Sequence, residues 1–75
     1  MSIEIVKLTD KGDSLAKSRG GGSAQKELWN TIYFIARMGG QTTNDKIVSM
    51  VFGGDERLAN KAIGYLKSKN IVVGE

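Results

Sequence analysis

The sequence predicts a small α+β domain that is mostly helical, with a three-helix core, a short extra helix and a two-stranded antiparallel sheet. Three observations predict it. The chain has 75 residues, which is enough for a single domain over residues 1–75. Three segments in the rear part carry apolar residues at helical spacing. A short aliphatic segment lies near each end of the chain, and each is predicted to form a strand.

The two predicted strands are Ile3–Leu8 and Ile71–Val73. Ile3–Leu8 is rich in β-branched and aliphatic residues, and its partial alternation places Val6 and Leu8 on one face. A lone strand leaves its backbone donors and acceptors unpaired. We therefore expect the first and last strands of the chain to pair with each other, in antiparallel fashion.

A short helix is predicted between the first strand and a flexible connector. Thr9 offers a hydroxyl as N-cap, Asp10 lies in the first turn, and the helix runs through Lys17. Gly12 should weaken it, and its inward residues are Leu15 and Ala16. Residues 18–23 (SRGGGS) lack apolar side chains and are predicted to form the connector, a loop inside one fold.

The first two core helices are bounded by glycine pairs. Ala24–Met38 carries a buried stripe and stops at Gly39-Gly40. Residues 42–45 (TTND) are a cluster of N-cap candidates for the second helix, and Thr42 with Asp45 three residues later approximates a capping box. This helix ends at Gly53-Gly54. The inward residues of the second helix are Ile47, Val48, Val51 and Phe52. In the first helix, Trp29, Tyr33 and Phe34 lie at core spacing, which favours packing over base stacking.

The third core helix runs from Glu56 to Lys69, with Asp55 as its cap and Asn70 as a left-handed C-cap. One apolar arc is predicted to face inward, comprising Leu58, Ala59, Ala62, Ile63 and Leu66. The opposite face carries basic and amide side chains and is not bulky. The sequence from Arg57 to Val73 has four basic residues and no acidic one. Two helices joined by a glycine-containing turn, with such an outer face on the second, are typical of a helix-turn-helix that presents its recognition helix to the DNA major groove.

The predicted ligand is double-stranded DNA, bound through a recognition helix over residues 55–69. We expect Arg57, Asn60 and Lys61 to contact bases, because their side chains carry the donors that base edges require. Lys67, Lys46 and Thr43 are expected to hold phosphates. Gly64 permits close approach, and the outer face also includes Ser68. The alternative is that an amphipathic helix with basic residues is simply a solvated surface.

Other functional classes find little support in the composition. The chain has no cysteine and no histidine, which removes disulfides, thiol chemistry, the usual zinc ligands and imidazole catalysis. The carboxylates show no paired spacing beyond Asp55-Glu56, which fits a cap and a first turn. We expect no catalytic site, metal or cofactor and no small-molecule substrate. No apolar run approaches a membrane span and no signal peptide is visible, so a cytoplasmic protein is expected. The net charge of +3 favours a polyanionic partner.

Two parts of the sequence resemble winged helix-turn-helix regulators. Residues 42–48 (TTNDKIV) leading into residues 58–72 (LANKAIGYLKSKNIV) are similar to the second and third helices of that family. Residues 8–15 (LTDKGDSL) are similar to the Leu-Thr-x-x-Gly-x-x-Leu segment that ends the wing and opens a final helix in prokaryotic regulators of the MarR and PadR type. In the family that segment follows the recognition helix, whereas here it comes first.

The resemblance implies a winged helix that is circularly permuted at its wing tip. Continuing from Glu75 to Ser2 restores the family order, with the original ends joined by Gly20–Ser23. A GGGS run is similar to a laboratory linker, which indicates engineering, and a natural protein of unusual topology is the alternative. The strand usual between the first and second helices is reduced to Gly39–Gln41, so only two strands are expected in the wing.

Three functional alternatives remain open from the sequence. The first is transcription-regulator-type DNA binding, which a homodimer would suit. The second is a protein-interaction or oligomerising winged helix, using Phe34, Met38 and an exposed strand edge at Ile3–Ile5. The third is an engineered folding or design protein whose permuted wing has lost the parent's activity.

Overall fold

The computed structural model describes residues 3–18 and 26–74 of the chain. Within these ranges the protein forms four helices and three strands. Along the chain they are β1 (Ile5–Leu8), α1 (Asp10–Ser18), α2 (Lys26–Arg37), β2 (Gln41–Thr43), α3 (Asn44–Met50), α4 (Glu56–Ser68) and β3 (Val72–Gly74). The class is therefore α+β and mostly helical. In the described parts, no helix is both long and apolar enough to cross a membrane.

The sheet joins the first and last described segments of the chain, as the sequence predicts. β1 pairs with β3 in antiparallel fashion, with Val6 opposite Gly74 and Leu8 opposite Val72. The predicted limit of two strands is wrong, because β2 pairs with the other side of β1 and the order is β2-β1-β3. Gly39 and Gly40, with φ of 88° and 97°, turn the chain back so that this short strand can pair.

β1 is consequently the central strand of the sheet. The prediction of an exposed strand edge at Ile3–Ile5 is wrong, since Ile5 pairs with Thr43 of β2 and Ile3 lies before the strand begins. Its outward side chains remain in solvent, with Ile3 72% and Ile5 39% exposed. The edges of the described sheet belong to β2 and β3.

The hydrophobic core lies between the inner face of the sheet and the helices. Val6 and Leu8 are both buried on that face, which confirms the alternation predicted for β1. The core cluster also contains Ile32, Ile35, Ile47, Ile63, Leu66, Ile71 and Val72. In α2, Trp29 and Phe34 are half-buried and pack against this cluster, and the Trp29 and Tyr33 ring centroids are 5.7 Å apart.

Helix α1 is fixed to the loop before β3 by Thr9 and Gly12. The Thr9 hydroxyl accepts a hydrogen bond from the Gly12 amide at 3.1 Å, which confirms Thr9 as the N-cap. The Thr9 amide donates to the Ile71 carbonyl at 3.0 Å. Gly12 is buried, and a Cβ there would lie 2.2 Å from the Ile71 carbonyl oxygen. Gly12 therefore permits this close approach, whereas the sequence indicated only a weakened helix.

The predicted helix ends differ from the structure by a few residues. α1 continues through Ser18, so the predicted connector loses its first residue to the helix, and the rest of the connector lies outside the described residues. The predicted start of α2 at Ala24 also lies outside them. α2 ends at Arg37 rather than Met38, and Met38 begins the turn that leads to β2.

Helix α3 begins one residue later than predicted. Its N-cap is Thr43, whose hydroxyl accepts the Lys46 amide at 3.3 Å, and the prediction of Thr42 as cap is wrong. Thr42 is a strand residue, paired with Val6, and it is only 7% exposed. Its hydroxyl has no partner among residues 3–18 and 26–74. α3 ends at Met50, before Val51 and Phe52. Ile47 is buried as predicted, whereas Val48, Val51 and Phe52 are half-buried.

Candidate nucleic-acid interface

Helix α4 begins at Glu56 as the sequence predicts, but it ends at Ser68, one residue before the predicted end at Lys69. Gly53 and Gly54 have φ of 60° and 94° and turn the chain from α3 into α4. The Asp55 carboxylate accepts the Leu58 amide at 3.1 Å, which confirms it as the N-cap. Asn70 has a φ of 58°, which confirms the left-handed conformation predicted for it, but the prediction of Asn70 as the C-cap is wrong because Lys69 occupies that position.

The inner face of α4 is narrower than predicted. Ala59, Ala62, Ile63 and Leu66 are buried, as expected. Leu58 is 43% exposed, so its assignment to the inward arc is wrong. At about 100° per residue, Leu58 lies roughly 80° around the helix from Leu66, at the border of the buried arc.

An open groove runs along that border. Leu58 and Tyr65 line one side of it, and Glu27 and Leu28 of α2 line the other. The Nζ atom of Lys69 lies 5.7 Å from the centroid of the Tyr65 ring, within the range of a cation–π contact. The sequence does not single out Tyr65 as a surface residue, although Tyr65 and Lys69 are four residues apart and so lie on one face of the helix.

The outward face of α4 carries a polar stripe formed by Arg57, Asn60, Lys61, Gly64 and Ser68. These five residues are exposed, and their spacing places them within about 100° of one another around the helix. Within the described ranges, the side chains of Arg57, Asn60 and Lys61 make no hydrogen bond or ion pair. Their donors are therefore available to a ligand.

Gly64 and Ser68 shape the middle and the end of the polar stripe. A Cβ at Gly64 would have no heavy atom within 4 Å, so the missing side chain leaves open space on the surface. The Ser68 hydroxyl donates to the Tyr65 carbonyl at 2.7 Å, which leaves its oxygen as an acceptor only. The stripe therefore has no side chain at Gly64, an acceptor at Ser68, and its donors at the three preceding positions Arg57, Asn60 and Lys61.

Lys67 is not part of the polar stripe, although the sequence grouped it with the phosphate contacts. It lies about 60° around the helix from Gly64. Its Nζ pairs with the Oε1 atom of Glu4 at 2.7 Å, and both side chains are a little over one third exposed. Lys67 is therefore paired with a carboxylate in this structure, and its contact with a phosphate stays a prediction. Nothing in the sequence pointed to Glu4, which lies 63 positions away.

Thr43 and Lys46 lie at the amino end of α3, the helix that packs against α4. Thr43 is half-buried and its hydroxyl oxygen accepts the N-cap hydrogen bond, whereas its hydroxyl proton can be donated to a ligand. The Lys46 side chain is exposed and has no partner within the part of the chain that the structure describes. Of Thr43 and Lys46, two of the three predicted phosphate contacts, Lys46 is therefore the more accessible.

In both α3 and α4, acidic residues lie at the amino end of the helix and basic residues follow them. Carboxylates lie at the amino ends of both helices, with Asp45 in α3 and Asp55 and Glu56 at α4. Their negative charge is stabilised there by the positive end of the helix dipole. In α4, Arg57 follows Glu56 directly in the first turn, and Lys61 lies about one turn further on. The two cations of the polar stripe therefore lie in the amino-terminal half of α4.

The described residues contain no cluster of three or more carboxylates that could hold a metal ion. Comparison of this chain with known protein families, with curated proteins and with solved structures finds no match. The arrangement of residues on α4 is thus the basis for a functional interpretation.

Proposed function

We propose that this protein binds double-stranded DNA in a sequence-specific manner, with α4 as the recognition helix. The observation that carries the proposal is the polar stripe. The side chains of Arg57, Asn60 and Lys61 are exposed donors that have no partner among residues 3–18 and 26–74. They lie near the bare backbone of Gly64 on a helix whose other side is buried. A helix of this kind fits the major groove with its side chains at base edges.

The chemistry of the stripe suits base contacts. Arginine and lysine donate to the O6 and N7 acceptors of guanine, and the asparagine amide both donates to and accepts from adenine. Lys46 contributes a phosphate contact from the neighbouring helix, and Thr43 donates its hydroxyl proton there. Phosphate contacts set the position of the protein on the duplex, and the three stripe side chains set the sequence preference.

The order of the elements supports a circularly permuted winged helix as the scaffold. Starting at α2, the chain runs α2, β2, α3, α4 and β3, and β1 and α1 complete the order if the ends are joined. β2 lies between the first two core helices, where the winged-helix family has a strand. β1 and β3 are paired as the two strands of a wing would be. The GGGS run at residues 20–23 then joins the original ends, which favours an engineered protein.

Fluorescence anisotropy with labelled mixed-sequence duplexes, at about 50 mM and about 200 mM salt, tests the proposal. We expect binding that weakens steeply with salt and is reduced by Arg57→Ala and by Lys61→Ala. Lys17→Ala is the matched control, because it removes one cation from α1 and leaves α4 unchanged. Absence of binding at the lower salt, or equal losses in all three variants, would contradict the proposal.

Selection from a random duplex pool tests the sequence specificity. We expect the parent to enrich a defined motif and Asn60→Ala to relax the preference at one position of it. Lys46→Ala should weaken binding to all sequences alike. A pool that shows no enrichment would reduce the proposal to non-specific DNA binding.

A second candidate function is protein interaction, including self-association. The observation that favours it is the exposure of two methionines near an open groove between α2 and α3, with Met50 69% and Met38 42% exposed. Sedimentation velocity over a range of concentrations distinguishes a monomer from a dimer. A dimer that Met50→Glu dissociates would support this function, and it would remain compatible with DNA binding.

A further inference from the structure

The ion pair between Glu4 and Lys67 joins the approach to β1 with the last turn of α4. Lys67 Nζ lies 2.7 Å from Glu4 Oε1, across 63 positions of sequence. Both side chains are a little over one third exposed, so the pair lies at the surface and not in the core. Ion pairs in such positions contribute little net stability. The pair is therefore not needed to hold the fold together.

The backbone of Glu4 is held in place from α3. Its amide donates to the Asn44 side-chain oxygen at 3.0 Å, and its carbonyl accepts the Asn44 amide at 2.9 Å. The backbone of Glu4 is thus held at a defined position, from which its carboxylate reaches the last turn of α4. Its counterpart Lys67 is a flexible side chain that could otherwise extend into solvent.

Gly74 provides the space that the pair occupies. A Cβ at this position would lie 2.8 Å from Glu4 Oε2 and 3.0 Å from Lys67 Nζ. Its φ is not in the left-handed region, so the backbone itself does not require glycine there. The close approach of the two charged groups is what a side chain at position 74 would disturb.

We propose that Glu4 masks Lys67 and so keeps it from contacting a DNA phosphate. This inference rests on the proposed DNA binding by α4. Lys67 lies on the same helix as the polar stripe, and a carboxylate now occupies the position that a phosphate oxygen would take on its ammonium group. Removal of the carboxylate should add one phosphate contact to the interface.

The number of phosphate contacts is measurable from the salt dependence of affinity. Each added contact steepens the slope of log K against log[salt] by about 0.9. We therefore expect Glu4→Gln to bind a labelled duplex of about 20 base pairs more tightly than the parent. The ratio of the two affinities should fall by a factor of about 3.5 between 50 mM and 200 mM salt, which is the change expected for one contact.

Asp13→Asn is the matched control for the change in net charge. It also removes one carboxylate and one ion pair, that of Asp13 with Lys17 at 3.0 Å, but it does so on α1. Gly74→Ala is the second variant, because it disturbs the pair without changing the charge of the protein. We expect Gly74→Ala to shift the slope in the same direction as Glu4→Gln, and Asp13→Asn to leave it unchanged.

A Lys67→Gln substitution completes the experiment. In the Glu4→Gln background it should return the slope to the parental value, whereas in the parent it should leave the slope unchanged. If the parent binds and Glu4→Gln has the same slope as Asp13→Asn, the masking proposal is overturned and DNA binding stands. If the parent shows no salt-dependent binding, both proposals are overturned.

Discussion

Gly12 and Ile71 are in contact through their backbones, and a Cβ at position 12 would lie 2.2 Å from the Ile71 carbonyl oxygen. The same oxygen accepts the Thr9 amide at 3.0 Å. Helix α1 therefore meets the loop that leads from α4 into β3 with no room for a side chain. This contact joins the front segment of the chain to the rear segment.

Gly12→Ala should therefore destabilise the protein, although alanine is the better helix former. The clash is with backbone, which cannot move aside easily, and we expect a loss of about 1–3 kcal/mol. Urea denaturation followed by circular dichroism measures it. Gly64→Ala is the control, because its Cβ enters open space on α4 and should stabilise by about 0.5–1 kcal/mol. A gain in stability at position 12 would contradict the close contact.

The two adjacent threonines at the start of α3 should respond in opposite ways. Thr43→Ala removes the N-cap hydroxyl and should cost about 1 kcal/mol. Thr42→Val replaces a buried hydroxyl that lacks a partner among the described residues with a methyl group of similar shape, and should be neutral or stabilising. Thermal unfolding of the two variants separates these roles. The reverse order of stability would mean that Thr42 is the cap.

The core position Ile35 should be far more sensitive than the surface position Ile3. Ile35 is fully buried and Ile3 is 72% exposed. We expect Ile35→Val to destabilise by about 0.5–1.5 kcal/mol, and Ile3→Val to change stability by less than about 0.5 kcal/mol. The midpoints of denaturant unfolding for the two variants, compared at an unchanged m-value, measure the difference. Equal effects would place Ile3 in a packed environment.

Gly64→Ala should also separate stability from DNA binding. Its methyl group lies in the middle of the polar stripe, where we propose that the helix approaches the bases. We expect a more stable protein that binds duplex DNA less tightly than the parent, as measured by anisotropy at one salt concentration. Tighter or unchanged binding would argue that Gly64 does not face the groove.

Local patterns predicted most of the elements because they depend on nearby residues. The caps at Thr9 and Asp55 and the left-handed Asn70 follow from side chains close to the helix ends. β2 was missed as a paired strand because three residues show no clear periodicity, and its pairing depends on β1, more than thirty positions away. The glycine pair at 39 and 40 indicates a turn, but it does not indicate that a strand follows the turn.

The candidate site was predicted less completely than the fold. Helical spacing correctly placed Arg57, Asn60 and Lys61 on the exposed side of α4. It assigned Leu58 to the interior, because spacing alone does not give the width of the buried arc. It also treated Lys67 as available, since the partner Glu4 is brought to it only by the tertiary fold. Contacts between distant segments are where sequence patterns carry least information.

An NMR titration of amide shifts with duplex DNA tests the central claim most directly. We predict that the perturbed amides cluster along α4 from Arg57 to Ser68 and at the amino end of α3, and that the shifts diminish as salt is added. Perturbations centred instead on the groove around Met50 and Phe34, or a spectrum unchanged by DNA, would contradict α4 as a recognition helix.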